Sequence, residues 1–302
     1  MSSAPYDAIV IGSGMTGLTA AKHLAERGAC IANIEGGVFG GLITNVNELE
    51  GEFGGSGADL ASTLMNDVID LGCTMLSESV VDVRRDGADL VVVSDAAEHR
   101  ARMVVVATGA KLRRLGVPGE AEYEYKGVSQ CPDCDGPMFQ AQHVVVVGGG
   151  DSALQEAVVL SRFCASVRIV HRGGQLTAQS HWQHAIAALG NVTIMPATEV
   201  TQIEGGDVVQ ALRVRSVVDG SVQTLRCSGV FVYVGLEPSS GLLADRADCD
   251  ASGALVTDDA FETSLPGVFA AGAVRAGYQG TLSDAVRDAQ AVAKAVLQRL
   301  RD

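Results

Sequence analysis

The sequence predicts an α/β protein made of two Rossmann-like dinucleotide-binding domains, the second inserted in the first. Three observations lead to this prediction. A strand, a glycine-rich turn, a helix and a second strand occur in that order twice along the chain. The 302 residues exceed what one hydrophobic core usually holds. Polar, glycine- and proline-containing stretches at 111–127 and 235–238 separate the second copy from the rest.

The first copy lies at the start of the chain. An apolar run over residues 7–11 leads into Gly12-Ser13-Gly14-Met15-Thr16-Gly17 and then a helical pattern. A second strand pattern ends on Glu35, 23 residues after Gly12. In such a unit the glycines let a pyrophosphate approach the helix N-terminus, and the acid accepts hydrogen bonds from ribose hydroxyls. This copy therefore predicts a dinucleotide site.

The stretch between the two copies is mixed. Gly40-Gly41 and the irregular residues 42–57 form either an ordinary loop or a backbone that approaches a flat ligand closely. Residues 59–71 predict a helix, and 80–83, 90–93 and 103–107 predict strands that lead to Thr108-Gly109. We expect these strands to form a small antiparallel meander within a parallel fold.

The second copy repeats the pattern with different chemistry at its end. Strand 144–147, the turn Gly148-Gly149-Gly150-Asp151-Ser152-Ala153, helix 154–163 and strand 167–170 follow in order. His171 and Arg172 then stand where the first copy has Glu35 and its neighbour. Because an arginine suits a ribose 2′-phosphate and an acid suits free hydroxyls, this copy favours NADPH over NADH.

The remaining elements return the chain to the first domain. Residues 199–234 contain a second set of strand patterns, 254–257 and 267–272 predict further strands, and 282–300 predict a helix capped by Thr281 and Asp284. The expected domains are 1–112 with 241–302, and the inserted 113–240.

Cys131-Pro132-Asp133-Cys134 lies just before the second copy, followed by Asp135. Two cysteines at this spacing are either a two-electron dithiol–disulfide pair or half of a zinc site. In the redox reading Asp135 is a candidate proton carrier. The other five cysteines lie singly in apolar or strand-like contexts, which is typical of structural thiols.

Composition excludes several kinds of partner. The formal net charge of −14 disfavours nucleic acid and anionic lipid, because phosphate binding needs clustered Lys and Arg. The uninterrupted apolar runs are strand-length, far short of a bilayer span. We expect a cytoplasmic protein that binds neither nucleic acid nor membrane.

Taken together, the motifs resemble one family, the low-molecular-weight thioredoxin reductases, and the C-terminal part of the flavoprotein subunit of alkyl hydroperoxide reductase. The resemblance covers essentially the whole chain. It rests on Gly12-Ser13-Gly14-Met15-Thr16-Gly17, Gly40-Gly41, Ala107-Thr108-Gly109-Ala110, Cys131-Pro132-Asp133-Cys134-Asp135-Gly136-Pro137, Gly148-Gly149-Gly150-Asp151-Ser152-Ala153 and Gly267-Val268-Phe269-Ala270-Ala271-Gly272, in family order.

The resemblance implies an FAD/NAD(P)-binding flavoprotein fold, an FAD domain made from the two ends of the chain, and a homodimer. It implies that Cys134 faces the flavin, that Cys131 reacts with an outside disulfide and that Asp135 handles the proton, with no metal site. The FAD residues it implies are Gly12, Ser13, Gly14, Thr16, Gly17, Glu35, Gly40, Gly41, Thr108, Gly109, Gly272 and Ala273. For NAD(P) they are Gly148, Gly150, Asp151, Ser152, Ala153, His171 and Arg172.

Three departures from the family pattern bear on function. Only Arg172 remains of the arginines that follow His171 in NADPH-binding members. Ala273 replaces the aspartate that binds the ribityl chain of FAD, and Gln279-Gly280-Thr281 replaces an Arg-Gln-Ala segment near the flavin. The predicted function is an FAD-dependent dithiol–disulfide oxidoreductase acting on a thioredoxin-like protein or a small dithiol or disulfide. The alternatives are a dithiol oxidase independent of nicotinamide, a ferredoxin-linked reductase, and a non-catalytic redox sensor.

Overall fold

A computed structural model describes residues 5–46, 49 and 53–301. The chain divides into two compact units, the first formed by Met1–Lys111 with Glu237–Asp302 and the second by Leu112–Leu236. In the part of the chain so described, no helix is both long enough and apolar enough to cross a membrane. The assignment of one unit to FAD and the other to NAD(P) stays a prediction at this point.

The elements are numbered in chain order. The helices are α1 (Met15–Ala25), α2 (Gly57–Asp70), α3 (Pro132–Asp135), α4 (Asp151–Ser161), α5 (Ser180–Ala187) and α6 (Leu282–Arg299). The strands are β1 (Tyr6–Ile11), β2 (Ile31–Ile34), β3 (Thr74–Leu76), β4 (Val80–Asp86), β5 (Asp89–Ser94), β6 (Glu98–Val106), β7 (Ala110–Leu112), β8 (Val128–Ser129), β9 (His143–Val147), β10 (Ser166–Val170), β11 (Val192–Met195), β12 (Thr198–Gly205), β13 (Val209–Ser216), β14 (Val222–Arg226), β15 (Gly229–Val232), β16 (Leu236–Pro238) and β17 (Val268–Ala270).

The first unit is organised around a sheet in the order β3-β2-β1-β6-β5-β4. Strands β1, β2, β3 and β6 run parallel, whereas β4, β5 and β6 form the predicted antiparallel meander. The second half of β6 pairs in parallel with β17, so the end of the chain completes this sheet. Helices α1 and α6 pack on it through buried side chains such as Leu18, Leu24 and Val292.

The second unit has a parallel sheet in the order β11-β10-β9-β15-β8 and an antiparallel sheet, β12-β13-β14. Strands β9 and β15 are apolar along nearly their whole length because both faces of the sheet are covered. Leu154 and Leu160 of α4 pack against one face, with Phe231 of β15. This arrangement places the start of α4 at the carboxyl end of β9.

Most predicted elements are confirmed, with shifted ends. Helix α2 begins two residues before the prediction because Ser56 caps it, accepting a hydrogen bond from the Asp59 amide at 3.0 Å. Thr281 and Asp284 form the predicted capping box of α6.

Three sequence-based expectations need correction. Residues 254–257 do not form a strand, because Leu255 makes isolated bridges to two different neighbours instead of one continuous ladder. The stretch 42–57 was expected to be irregular, yet Gly41–Asn45 form a 3-10 turn. Residues 47, 48 and 50–52 of that stretch lie outside the described residues. Helix α5 and strand β11 were not predicted, since α5 mixes polar and apolar residues over only eight positions and β11 is four residues long.

Candidate active site

The three glycines of the first turn have different structural roles. Gly12 has φ +104°, and a Cβ there would lie 2.4 Å from the Ala107 carbonyl oxygen. A Cβ on Gly17 would lie 2.0 Å from the Gly12 carbonyl oxygen. By contrast, the nearest atom to a Cβ on Gly14 is the Gly40 oxygen, at 3.8 Å. Packing therefore demands Gly12 and Gly17, whereas Gly14 leaves open space for a ligand.

The N-terminus of α1 is open. Gly14 is its N-cap residue, and no described side chain caps the helix. Helices α2 and α6, which lie elsewhere in the same unit, are both capped by side chains. Uncapped amide N–H groups beside a glycine turn bind the pyrophosphate of a dinucleotide.

Glu35 is held in place by the turn itself. Its Oε2 accepts a hydrogen bond from the Ser13 amide at 2.8 Å, and its Oε1 accepts one from the Gly37 amide at 2.8 Å. The buried Asn33 supports the same turn, because its Nδ2 donates to the Gly12 carbonyl at 3.0 Å and its Oδ1 accepts from Ser13 Oγ at 2.5 Å. Each carboxylate oxygen keeps a free lone pair for ribose hydroxyls.

The other predicted FAD residues gather around this turn. The Gly40 amide donates to the Ser13 carbonyl at 2.8 Å, and Gly41 lies beside Gly14. Gly272 leaves no room for a side chain against Thr16, and the half-buried Ala273 follows it. Thr108 and Gly109 are held by hydrogen bonds to Ser239. A cavity of about 360 Å³ extends from Gly12 and Glu35 to Thr108 and Lys111. These residues fit the adenosine and pyrophosphate parts of FAD.

The second turn has the same outline. A Cβ on Gly148 would lie 2.1 Å from the Tyr233 carbonyl oxygen, whereas the nearest atom to one on Gly150 is Thr177 Oγ1, at 3.7 Å. Gly150 is the N-cap of α4, and this helix too has no cap from a described side chain. The Asp151 carboxylate accepts hydrogen bonds from the amide and the Nε2 of Gln179, both at 2.6 Å.

His171 closes the second turn on one side. Its ring lies directly against Gly149 and Gly173, where a Cβ would be 2.3 and 2.6 Å from ring nitrogens. Its Nε2 is hydrogen-bonded to the Gln175 carbonyl at 2.6 Å. Arg172 is exposed. A cavity of about 790 Å³ runs along this turn, and its cationic lining comes from Arg113, Arg114 and Arg172.

Cys131 and Cys134 form a disulfide, with Cα atoms 5.3 Å apart, at the start of α3. The Cys131 amide donates to Ser129 Oγ at 3.0 Å, and the Cys134 amide donates to Cys131 Sγ at 3.3 Å. Cys134 is exposed and Cys131 is half-buried. An amide directed at a sulfur stabilises the thiolate form of Cys131 once the disulfide opens.

The surroundings of the disulfide are acidic. Burial, with the charge of Asp133 as a smaller contribution, raises the pKa of Glu156 on α4 from 4.5 to about 7. Burial also raises the pKa of Tyr233, and the charges of Glu156, Asp133 and Asp135 raise it further. The Tyr233 hydroxyl donates to the Gln130 carbonyl at 2.7 Å, next to Cys131.

Sequence reasoning missed several of these residues. Asn33 was detectable as a polar residue within an apolar strand. Gln179, Glu156 and Tyr233 carried no signal, because their positions relative to the turn and the disulfide depend on packing between separate elements. Arg275 and Asp288 were also missed. They form a half-buried ion pair, and Asp288 Oδ2 accepts a hydrogen bond from the Gly272 amide at 3.1 Å.

Comparison with known proteins agrees with this geometry. Residues 6–293 match the family described as pyridine nucleotide-disulphide oxidoreductase. The chain belongs to this family.

Within the family the similarity is to thioredoxin reductases. The chain is 38% identical to the thioredoxin reductase of Mycolicibacterium smegmatis, over 90% of this chain and 89% of that protein. It is 34% identical to the enzyme of Treponema pallidum, again over 90% and 89%. The crystal structure of Lactococcus lactis thioredoxin reductase superposes with a TM-score of 0.94 at 33% identity, covering 98% of this chain and 99% of that one.

The predicted fold class and the predicted enzyme class are thereby confirmed. The chain is a thioredoxin reductase-like, flavin-dependent disulfide oxidoreductase with FAD as its cofactor.

Proposed function

We propose that this protein reduces a disulfide of a thioredoxin-like protein, using Cys131 and Cys134 of the second unit and FAD held by the first unit. The observation that carries the proposal is the Cys131–Cys134 disulfide in a chain whose first nucleotide turn is complete. The names of the relatives support the choice of partner. We further propose a homodimer, as the family resemblance implies, and a cytoplasmic location.

In this proposal, separate residues bind FAD, exchange disulfides and transfer protons. Gly14 and the open start of α1 bind the pyrophosphate, and Glu35 binds the adenosine ribose. FAD, when bound, supplies a two-electron carrier. Cys131 exchanges with the partner disulfide, Cys134 is the cysteine on the flavin side, and Asp135 exchanges protons with the pair.

Replacement of each cysteine tests these roles. In Cys134→Ser, Cys131 should still form a mixed disulfide with the partner protein, but the visible flavin spectrum should lose any contribution from a neighbouring thiolate. In Cys131→Ser the spectral contribution should remain and mixed-disulfide trapping should disappear. Identical spectra and identical trapping in the two variants would contradict the assignment.

An exposed apolar surface of the second unit supports a protein partner. Met138 is 72% exposed and Tyr125 94% exposed, and both line a cavity of about 520 Å³. Large apolar side chains clustered on a surface mark protein interaction sites. Met138→Asp should raise the KM for thioredoxin about tenfold, a loss of about 1.4 kcal/mol. The rate with a small aromatic disulfide should stay unchanged. Equal loss with both substrates would argue against a protein partner at this surface.

The electron donor is the second part of the proposal. We propose that a nicotinamide nucleotide binds the second turn weakly, because Arg172 is the single arginine left in the motif. Two missing charge-assisted contacts cost about 1.5 to 3 kcal/mol each.

His171, lodged against Gly149 and bonded to Gln175, favours one second candidate, a dithiol oxidase that works without nicotinamide. Anaerobic titration of the purified flavoprotein decides between them. If millimolar NADPH or NADH bleaches the visible flavin absorbance, the reductase stands. If only dithiols bleach the flavin, the result supports the dithiol oxidase and contradicts the nicotinamide-linked reductase.

A further inference from the structure

One half-buried carboxyl group near the disulfide has no role in the reaction described above. Glu156 lies on α4, which packs against α3 and the turn that follows the cysteines. A Cβ on Gly136 would lie 3.5 Å from Leu160 Cδ2 and 3.2 Å from Phe163 Cδ2. Because Glu156 is four residues before Leu160, it lies on the same face of α4, one turn nearer the start of the helix.

Several groups surround Glu156. Helix α3 contributes Asp133, and the segment after β15 contributes Tyr233. The Tyr233 hydroxyl is bonded to the Gln130 carbonyl, and Tyr233 also interacts with Asp133 and Asp135. Among the described residues, the main elements packed on α4 (β9, β10 and α5) bring no cation to Glu156. The His143 ring bonds to Ser166, Arg168 acts on Cys227, and His181 and His184 of α5 are exposed. A half-buried carboxyl beside other carboxyls keeps its proton to higher pH than usual.

We propose that Glu156 is a proton store for the Cys131–Cys134 pair: it holds a proton while the disulfide is closed and passes it, through the carboxyl groups of α3, to the sulfur that leaves when the disulfide opens. This proposal rests on the function proposed above. Glu156 is a positioning and relay residue in this scheme, since it acts through Asp133 and Asp135 and does not attack a sulfur.

The chemistry balances with a simple dithiol as reductant. One thiolate of dithiothreitol attacks a sulfur of the pair, forming a mixed disulfide and expelling the other cysteine as a thiolate. The second dithiothreitol sulfur then closes the reductant into a ring and expels the remaining cysteine. The reductant loses two electrons and two protons, and the pair gains both to become two thiols. Asp135 protonates one expelled thiolate and Glu156 supplies the proton for the other. The two protons that the reductant releases return one to each of these carboxyl groups.

The test is the pH dependence of this reduction in the full-length flavoprotein. Anaerobic mixing with dithiothreitol, acid quenching and alkylation give the rate of thiol formation between pH 5.5 and 8.5. Corrected for the thiolate fraction of the reductant, the wild-type rate should fall as the pH rises through about 7, the pKa of Glu156. In Glu156→Gln this break should vanish, and the rate below pH 7 should be about tenfold lower.

Two further variants serve as controls for the loss of a charge and for the loss of the carboxyl group. Asp207→Asn, at an exposed turn of the same unit, should behave as the wild type. Glu156→Asp keeps a carboxyl group and should keep a break, at a shifted pH. A wild-type break that persists in Glu156→Gln, or a folded Glu156→Asp without any break, would overturn the proton store. A pair that dithiothreitol does not reduce at any pH would instead overturn the proposed function.

Discussion

The two glycine turns of this chain share a backbone conformation and differ in the side chains that face the ligand position. Shifting the first turn onto the second matches Gly12 with Gly148, Gly17 with Ala153 and Glu35 with His171. In both, the N-cap glycine of the following helix is open to a ligand, and no described side chain caps that helix. In the first turn a carboxylate is held on the turn, whereas in the second an imidazole closes against it.

The comparison separates what any dinucleotide turn needs from what one ligand needs. The tight turn and the open helix start are common, because both follow from backbone geometry and the charge of a pyrophosphate. The residue after the second strand is expected to be specific to one ligand, since in dinucleotide-binding units this position contacts the ribose. The helix itself also differs: the first unit has buried Ala20 where the second has Glu156.

The largest expected effect is a loss of stability at the last residue of each turn motif, which is Gly17 in the first and Ala153 in the second. Gly17→Ala should lower the free energy of unfolding by about 3 kcal/mol or more, because its Cβ would lie 2.0 Å from a backbone oxygen. The matched change Ala153→Gly should cost about 1 kcal/mol, the usual helix penalty of glycine. Urea unfolding of the apoproteins measures both. Equal losses would mean that the two turns pack alike.

The second expected effect concerns Glu156, which has no counterpart in the first unit. Its pKa is raised from 4.5 to about 7 in the folded protein. Glu156 therefore loses its proton at a lower pH in the unfolded chain than in the folded one. The resulting stabilisation is fully present below pH 4.5 and is lost as the pH rises through 7, by about 3 kcal/mol. Glu156→Gln should remove this decline, relative to wild type, in urea unfolding between pH 5 and 8. An unchanged decline would place its origin elsewhere, and Asp207→Asn serves as the control.

The third prediction tests whether the open N-cap glycines serve ligands. Gly14→Ala should leave apoprotein stability unchanged, because the nearest atom to the new Cβ is 3.8 Å away. FAD affinity, measured by fluorescence, should fall about tenfold, a loss of about 1.4 kcal/mol. Gly150→Ala should instead leave FAD affinity intact and weaken nicotinamide nucleotides. A stability loss in Gly14→Ala with unchanged FAD affinity would make that glycine a packing residue like Gly17.

The smallest expected effect is at Ala273. Restoring the aspartate of the family pattern, Ala273→Asp, should tighten FAD binding about fivefold or less through one added hydrogen bond. The gain is small because Asp288 already holds the Gly272 amide, and a second carboxylate beside it is repelled. Flavin release during dialysis provides the measurement. A gain of two orders of magnitude would show that Asp288 offers no compensation.

The sequence predicted much of the fold and part of the site. Glycine spacing and the residues at 35 and 171 identified both turns, because these signals are local and short-range sterics produce them. Asn33 was missed although its polarity in strand β2 was visible, since a buried polar residue reveals its partners only in the folded protein. The expected strand at 254–257 failed because its apolar composition fits a strand, whereas its hydrogen-bond partners lie in separate segments.

By itself the sequence determined the doubled nucleotide-binding pattern, the family resemblance, the cysteine pair and the eroded arginine motif, all of which are patterns of residue type and spacing. Only the tertiary structure decided which glycines packing requires, that the Gln175 carbonyl holds His171 against the second turn, and that Glu156 lies half-buried beside α3. These depend on contacts between residues far apart in the chain, and burial, steric space and pKa arise from such contacts.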